Sequence, residues 1–218
     1  MNIFFDLDGT ILDSRERYYQ VYADLLKEMG FEPLERDTYW QYKRTVKSEK
    51  SILEFSKAAE KFDEYYPERT RRMEAIKYME LDTIWPELKP VLAYVAKKHL
   101  CSLVTLRMDP EALNWELEHL GIKNVFLLVL QPDTGFGTAI SPASKIRIMR
   151  ENFGSNRLDG WIIGDTDVDV LTGKEFGLSS AAVSYGMQDA SILTELKPDK
   201  LFNTPKKLAI WLLNLASN

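Results

Sequence analysis

The clearest pattern in the second part of the chain is an alternation of short apolar runs with amphipathic segments. The apolar runs predict strands at residues 100–105, 125–130, 160–164, 180–183 and 200–202. Apolar residues at helical spacing predict helices at residues 87–98, 110–120, 142–152, 168–176 and 205–214. Strands that alternate with helices of about 10 to 15 residues are typical of βαβ units and a mostly parallel sheet.

The first ten residues contain a further strand that ends in two acids. The apolar run 2–5 stops abruptly at Asp6 and Asp8, which is typical of a strand buried on both faces. Ligands of open parallel sheets bind just beyond the carboxyl ends of strands. Two such carboxylates repel each other unless a cation or a shared proton separates them, and Mg²⁺ prefers oxygen ligands. An ordinary turn after a strand explains the same residues, so the stretch alone leaves both interpretations open.

The intervening residues 14–82 show only helical patterns. Apolar residues at helical spacing predict helices at 14–29, 37–43, 48–62 and 67–81. We therefore expect a doubly wound, Rossmann-like α/β core formed by residues 1–13 and 83–218, with an all-helical cap at 14–82 inserted after strand one. The insertion leaves the sheet next to Asp6 and Asp8, where it is placed to cover them as a lid.

Composition excludes several classes of protein. The 218 residues are 45% hydrophobic, with a net charge of -5 and a pI near 5.3, so we expect neither a nucleic-acid nor a membrane partner. A single cysteine, Cys101, and two histidines rule out an internal disulfide framework and a Cys/His zinc cluster. Since the chain also lacks the pattern of a signal segment or an apolar run of about 18 residues, we expect a cytoplasmic protein.

A second group of acids follows the predicted strand at 160–164. Asp165, Asp167 and Asp169 come directly after it, and a parallel sheet brings this strand end to the same edge as Asp6. Carboxylates from the two strand ends could then share one ion. Capping of the next helix is the alternative, but it explains one acid rather than three, so the pattern favours a metal site.

Two residues between these acidic groups complete the candidate chemistry. Thr105 ends a predicted strand, for which a β-branched residue is also an ordinary choice. Lys145 is the only lysine between Asn124 and Gly173, and it lies in the first turn of a predicted helix. A cation there opposes the helix dipole unless an anion neutralises it.

Together these residues resemble the four motifs of the haloacid dehalogenase-like superfamily. The stretch 6–10 resembles the first motif, Thr105 the second, Lys145 the third and the segment 164–169 the fourth. The helical insertion resembles the cap of the branch that contains phosphoglycolate phosphatases and β-phosphoglucomutases. The resemblance implies a Mg²⁺-dependent phosphatase that acts on a small phosphorylated metabolite as a monomer or homodimer.

The resemblance also implies a role for each motif residue. Asp6 would be the nucleophile that forms an aspartyl-phosphate, and Asp8 the general acid and base. Thr105 would bind a phosphoryl oxygen, and Lys145 would stabilise the negative charge. The implied metal ligands are Asp6, the main-chain carbonyl of Asp8, Asp165 and Asp169.

Substrate contacts are implied for residues that flank these motifs. In the core they are Gly9, Thr10, Leu106 and Arg107, and in the cap Arg44 and Lys47. For Arg107 and for the basic loop at 43–47, an ordinary solvated charge is the commoner alternative.

Two other functions remain open at this point. A phosphomutase of the β-phosphoglucomutase type would use the same chemistry. A non-catalytic module that binds a phosphate ligand would keep the fold alone, but such a module has no need of Asp8.

Overall fold

The computed structural model describes residues 1–45, 48–132 and 142–217. The described residues form eight strands: β1 (Asn2–Phe5), β2 (Leu12–Asp13), β3 (Thr83–Ile84), β4 (Leu100–Val104), β5 (Leu128–Leu130), β6 (Gly160–Gly164), β7 (Ser179–Val183) and β8 (Lys200–Phe202). Their helices are α1 (Arg15–Glu28), α2 (Arg36–Thr45), α3 (Glu49–Phe55), α4 (Phe62–Met73), α5 (Ile76–Met79), α6 (Lys89–Val95), α7 (Pro110–His119), α8 (Pro142–Phe153), α9 (Asp167–Phe176), α10 (Ala190–Glu195) and α11 (Pro205–Ser217).

Six strands form one parallel sheet in the order β5-β4-β1-β6-β7-β8. Strand β1 is central, so its side chains are buried on both faces. Ile3 and Phe5 lie in one apolar cluster with residues of α6 and α11, whereas Phe4 lies in another with residues of α8 and α9. The sequence-based expectation of a doubly wound α/β sheet is confirmed.

The helices α1–α5 lie between β2 and β3, which pair antiparallel where the chain leaves the core and returns. These helices have their own apolar cluster, in which Tyr22, Tyr39 and Tyr65 are fully buried. Tyr22 and Tyr39 stack with ring centroids 4.4 Å apart. A separate core supports the division into a core of 1–13 and 83–218 and a cap of 14–82, which we propose as the domain organisation.

Several predicted elements have different bounds in the structure. The single helix expected at 48–62 is divided, because α3 ends at Phe55 and Lys57 has a φ of +57°. Helix α4 then begins at Phe62 and contains Pro67, which the sequence-based interpretation placed at a helix start. Tyr65 and Met73 are buried on α4, so packing outweighs the hydrogen bond that Pro67 removes.

The expected strand at 125–130 is also shorter. Only Leu128–Leu130 pairs with β4, and residues 123–125 form a 3₁₀ turn. The pattern did not predict α10 or the short β2–β3 pair. Within the described residues, every helix is too short or too polar to span a bilayer.

Candidate active site

The carboxyl end of β1 carries the first candidate residue. The backbone N–H of Asp6 donates to the carbonyl of Ile163 on β6 at 2.8 Å, so the sheet itself fixes its position. Gly9 then turns the chain with a φ of +77°, and a Cβ atom at this position would overlap the Asp165 carboxylate. The close approach of the first and fourth motifs therefore requires glycine.

Three carboxylates, from the ends of β1 and β6 and from the first turn of α9, lie together. Oxygen atoms of Asp6, Asp165 and Asp169 all lie within 4.8 Å of one another. The Lys145 Nζ, from the first turn of α8, lies 2.7 Å from Asp6 Oδ1 and 2.5 Å from Asp169 Oδ1. The lysine is thus neutralised at its helix N-terminus by two acids.

The cluster remains short of positive charge. Burial raises the pKa of Asp6 to about 7, against the opposing effect of Lys145. Burial, together with the charges of Asp6 and Asp169, raises the pKa of Asp165 well above its ordinary value. Three largely buried carboxylates beside Lys145 fit a divalent cation, because hard cations bind carboxylate oxygens and supply the missing charge.

Protein donors also occupy part of this cluster. Asp165 Oδ2 accepts from the N–H of Met187 at 2.5 Å. Asp169 Oδ2 accepts from the N–H and hydroxyl of Thr166 at 3.1 and 2.8 Å, which forms a capping box at the start of α9. Asp169 is therefore a helix-capping residue and a partner of Lys145 at the same time. Asp167 instead accepts from Gln188 at 2.8 Å and does not belong to the cluster.

Asp8 has entirely different partners. Its Oδ1 accepts from Arg17 and, at 2.9 Å, from Nη2 of Arg107, whereas its Oδ2 accepts from Nε of Arg107 at 2.7 Å. Burial by itself would raise the pKa of Asp8, but Arg107 and Arg17 hold that pKa well below its ordinary range. In this arrangement Asp8 is a carboxylate anion.

The two arginines belong to a larger buried network that the sequence did not reveal. Asp82 lies 3.1 Å from Arg17 and 3.4 Å from Arg107, and Glu116 lies 3.0 Å from Arg107. Burial, opposed by Arg17, raises the pKa of Asp82 to about 9. Arg17 lies close to the first connection between core and cap, and Asp82 close to the second. A single charge in a long predicted segment gives no signal of such pairing.

One cavity of about 210 Å³ joins the candidate residues to the cap. Its core wall contains Asp6, Asp8, Thr105, Leu106, Arg107, Met108, Lys145, Asp165, Thr166, Val168 and Met187. Its cap wall contains Arg17, Tyr18, Tyr66, Arg69, Thr70, Met73 and Glu74. The cap therefore covers the sheet edge where the acids meet.

The remaining predicted site residues differ in how close they lie to the acid cluster and the cavity. The Thr10 hydroxyl donates to Asp6 Oδ2 at 3.2 Å, and the buried Thr105 hydroxyl accepts from the N–H of Arg107 at 3.3 Å. Arg44 is absent from the residues described as lining the cavity. It instead donates to the carbonyl of Ser184 at 2.5 Å and so joins α2 to the core. Lys47 lies outside the described residues.

Comparison with known proteins agrees with this architecture. The chain is 28% identical over 189 residues to a phosphoglycolate phosphatase of Aquifex aeolicus, with 84% of each chain covered. It is 24% identical over 218 residues to a phosphoglycolate phosphatase of Synechococcus elongatus, with 94% of each covered. The structure of a haloacid dehalogenase-like hydrolase from Streptococcus pneumoniae superposes with a TM-score of 0.77 at 20% identity, covering 96% of this chain and 97% of that one.

The family model for haloacid dehalogenase-like hydrolases matches residues 3–183. This match includes β1, the helical insertion and the residues of all four motifs. The chain therefore belongs to the haloacid dehalogenase-like hydrolase family, as an enzyme of its phosphatase group.

Proposed function

We propose that this protein is a Mg²⁺-dependent phosphatase that hydrolyses a small phosphate monoester through an aspartyl-phosphate on Asp6. The observation that carries the proposal is the position of Asp6, which lies 2.7 Å from the Lys145 ammonium and within 4.8 Å of two further carboxylates. A carboxylate nucleophile can approach an anionic phosphoryl group only where positive charge cancels their repulsion. The phosphatase relatives support the same chemistry.

In the first step, an oxygen of Asp6 attacks phosphorus, and the bond from phosphorus to the leaving oxygen breaks. Lys145 neutralises charge on Asp6 and on the transferring group, and the Thr105 hydroxyl donates to a phosphoryl oxygen. The leaving oxygen takes a proton from Asp8. The products of this step are the free alcohol and phosphorylated Asp6.

In the second step, Asp8 removes a proton from water, the water oxygen attacks phosphorus, and Asp6 is released with inorganic phosphate. The anionic state of Asp8 in the structure suits this role as a base. Donation of a proton in the first step requires that its contacts with Arg17 and Arg107 loosen when the ester enters the cavity. All three residues line that cavity, so a substrate reaches them directly.

Mg²⁺ bound to Asp6, Asp165 and the main-chain carbonyl of Asp8, with Asp169 nearby, would supply the positive charge that Lys145 alone does not. The donor set fits this ion because it consists of oxygen atoms. We further propose a cytoplasmic enzyme, since its single cysteine, Cys101, is buried and has no second cysteine with which to form a disulfide within the chain.

The test is a screen of phosphorylated metabolites, with released phosphate as the readout, in Mg²⁺ and again with a chelator. We expect turnover that the chelator abolishes. Asp6→Asn should lower it about a thousandfold or more, because the nucleophile is removed. Mass spectrometry of the quenched wild-type reaction should find a phosphoryl group on the peptide that contains Asp6.

Asp167→Asn is the matched control, because it removes an acid from the same sheet edge that lies outside the cluster. Full Mg²⁺-dependent turnover in Asp6→Asn would refute the proposal. The absence of phosphate release from every ester of a broad panel would do so as well.

A further inference from the structure

The cavity between cap and core has an apolar part that the proposed chemistry does not use. Beside the acid cluster, its lining contains a set of residues with mainly apolar side chains: Tyr66, Met73, Leu106, Met108, Val168 and Met187. Four of them, Tyr66, Leu106, Val168 and Met187, are only partly buried by the protein. Apolar surface of this kind is stabilised when a ligand removes it from water.

This apolar lining begins next to the phosphoryl-transfer residues. Leu106 directly follows Thr105 in the chain, and Val168 lies in the first turn of α9. The backbone N–H of Met187 donates to the Asp165 carboxylate at 2.5 Å. A leaving group bonded to the transferred phosphate would therefore meet apolar side chains of the core, with α4 of the cap on the other side of the cavity.

The charged residues elsewhere in the lining already have protein partners. Arg17 and Arg107 both donate to the carboxylate of Asp8. Glu74, at the C-terminal end of α4, accepts from two backbone N–H groups just before α7, at 2.8 and 2.7 Å. These charges are thus satisfied within the protein and need no ligand.

Arg69, on cap helix α4, is paired as well. Its guanidinium lies 3.2 Å from Oε1 of Glu49 and hydrogen-bonds Tyr65, and Lys43 contacts the same acid. Burial raises the pKa of the Tyr18 phenol beside it, so that group is neutral. A second anion on a ligand would have to compete with an acid of the protein for any arginine of the described lining, which makes its burial costly.

We propose that the substrate is the phosphate monoester of a small, uncharged alcohol, whose hydrocarbon part binds Leu106 and Val168 of the core and Tyr66 and Met73 of the cap. The proposal rests on the proposed function, since it assumes that the transferred phosphate lies at Asp6. The cavity volume of about 210 Å³ limits the size of that alcohol. Each CH₂ group that leaves water here should strengthen binding about fourfold, whereas a charged group would lose its water without gaining a free partner.

The test measures equilibrium binding rather than turnover, so that it is independent of whether the chain hydrolyses esters. Three phosphonates are titrated by calorimetry in Mg²⁺: ethylphosphonate, 3-methylbutylphosphonate and 3-phosphonopropanoate. The last two have the same shape, but one ends in two methyl groups and the other in a carboxylate. We expect wild type to bind 3-methylbutylphosphonate about tenfold or more tightly than either of the other two.

Replacing residues of the apolar lining by polar ones of similar shape should reduce this preference. Leu106→Asn and Val168→Thr should each weaken the binding of 3-methylbutylphosphonate about fivefold, and should change the affinity for ethylphosphonate much less. Leu171→Asn is the matched control, because Leu171 is exposed on α9 and is absent from the described lining of the cavity. It should bind all three ligands as wild type does.

Failure of 3-methylbutylphosphonate to bind wild type more tightly than ethylphosphonate would overturn the proposal. Binding of 3-phosphonopropanoate that equals or exceeds that of its apolar counterpart would do the same, as would equal losses in Leu171→Asn and Leu106→Asn. Thermal unfolding of each variant verifies that it is folded, and the wild-type comparison needs no variant. Failure of the phosphate-release screen, by contrast, would overturn the proposed function and leave these affinities to decide which chemical class of ligand the cavity binds.

Discussion

Asp6 shares its surroundings with two further carboxylates and one lysine, whereas Asp8, only two residues further along, meets two arginines. The pKa of Asp6 is raised to about 7, and that of Asp8 is held well below its ordinary range. The two acids belong to one short turn and are identical in chemistry. Their difference therefore comes from the neighbours that the fold brings to each of them.

The contrast indicates what each side of the site lacks. The Asp6 side has too little positive charge, so a divalent cation would stabilise it and would also offset the negative charge of a phosphoryl group. The Asp8 side already has its cations, so it holds a stable anion that must exchange partners before it can carry a proton. In the proposed mechanism, this one loop therefore carries both the nucleophile and the general acid and base.

The largest expected effect is on the free energy of unfolding. Asp8→Asn removes one acidic acceptor of two buried guanidinium groups, which keep Asp82 and Glu116. It should cost about 3 kcal/mol, the lower end of the cost of breaking a buried ion pair. Asp6→Asn in chelator should cost far less, because it also removes repulsion from Asp165 and Asp169. Urea unfolding at pH 7 measures both.

The pH dependence of the same measurement sharpens this comparison. A lowered pKa in the folded chain contributes stability above the ordinary value of 3.8 and loses it as the pH falls below that value. The difference in the free energy of unfolding between wild type and Asp8→Asn should therefore be smaller at pH 3 than at pH 7. Equal deficits for the two variants at pH 7 would contradict the contrast between the two acids.

The next effect concerns Lys145, which contacts two acids of the cluster. Lys145→Met leaves Asp6, Asp165 and Asp169 without their protein cation, and it should lower kcat about a hundredfold through lost charge stabilisation. Lys174→Met, an exposed lysine on α9, is the control and should retain full turnover. Unchanged kcat in Lys145→Met, measured by phosphate release, would remove the lysine from the chemistry.

The smallest effect is the dependence of Mg²⁺ stabilisation on pH. Asp6 has a folded pKa of about 7 against an ordinary value of 3.8, so the stability it contributes is present at low pH and is lost as the pH rises through 7. Mg²⁺ competes with this proton. Its stabilisation, about 1 kcal/mol at a few times the Kd, should be larger at pH 8 than at pH 6.

Thermal unfolding with and without Mg²⁺ at the two pH values measures this difference. In Asp165→Asn, Mg²⁺ should raise the Tm much less than in wild type at both pH values, whereas in Asp167→Asn the increase in Tm should be retained. A shift in wild type that is equal at pH 6 and pH 8 would show that proton release from Asp6 is not linked to the ion.

Much of this organisation could be predicted from the sequence. Apolar runs alternating with helical spacing determine a parallel α/β sheet, and a parallel sheet places the acids after β1 and β6 at one edge. Asp6, Asp165 and Lys145 follow from that rule, since strand ends and helix starts are local features that a pattern can identify. The bounds of α3 and α4 in the region 48–73 do not follow from the pattern, because the packing of Tyr65 and Met73 keeps α4 helical through Pro67.

Only the tertiary structure decided what surrounds Asp8 and what the cap presents to the cavity. Arg17, Asp82, Arg107 and Glu116 come from four separate segments, and each alone has the pattern of an ordinary surface charge. The same holds for Lys43, Glu49 and Arg69 on three cap helices. A sequence records each charge, but its pKa and its partner depend on burial and distance, and these exist only after the chain has folded.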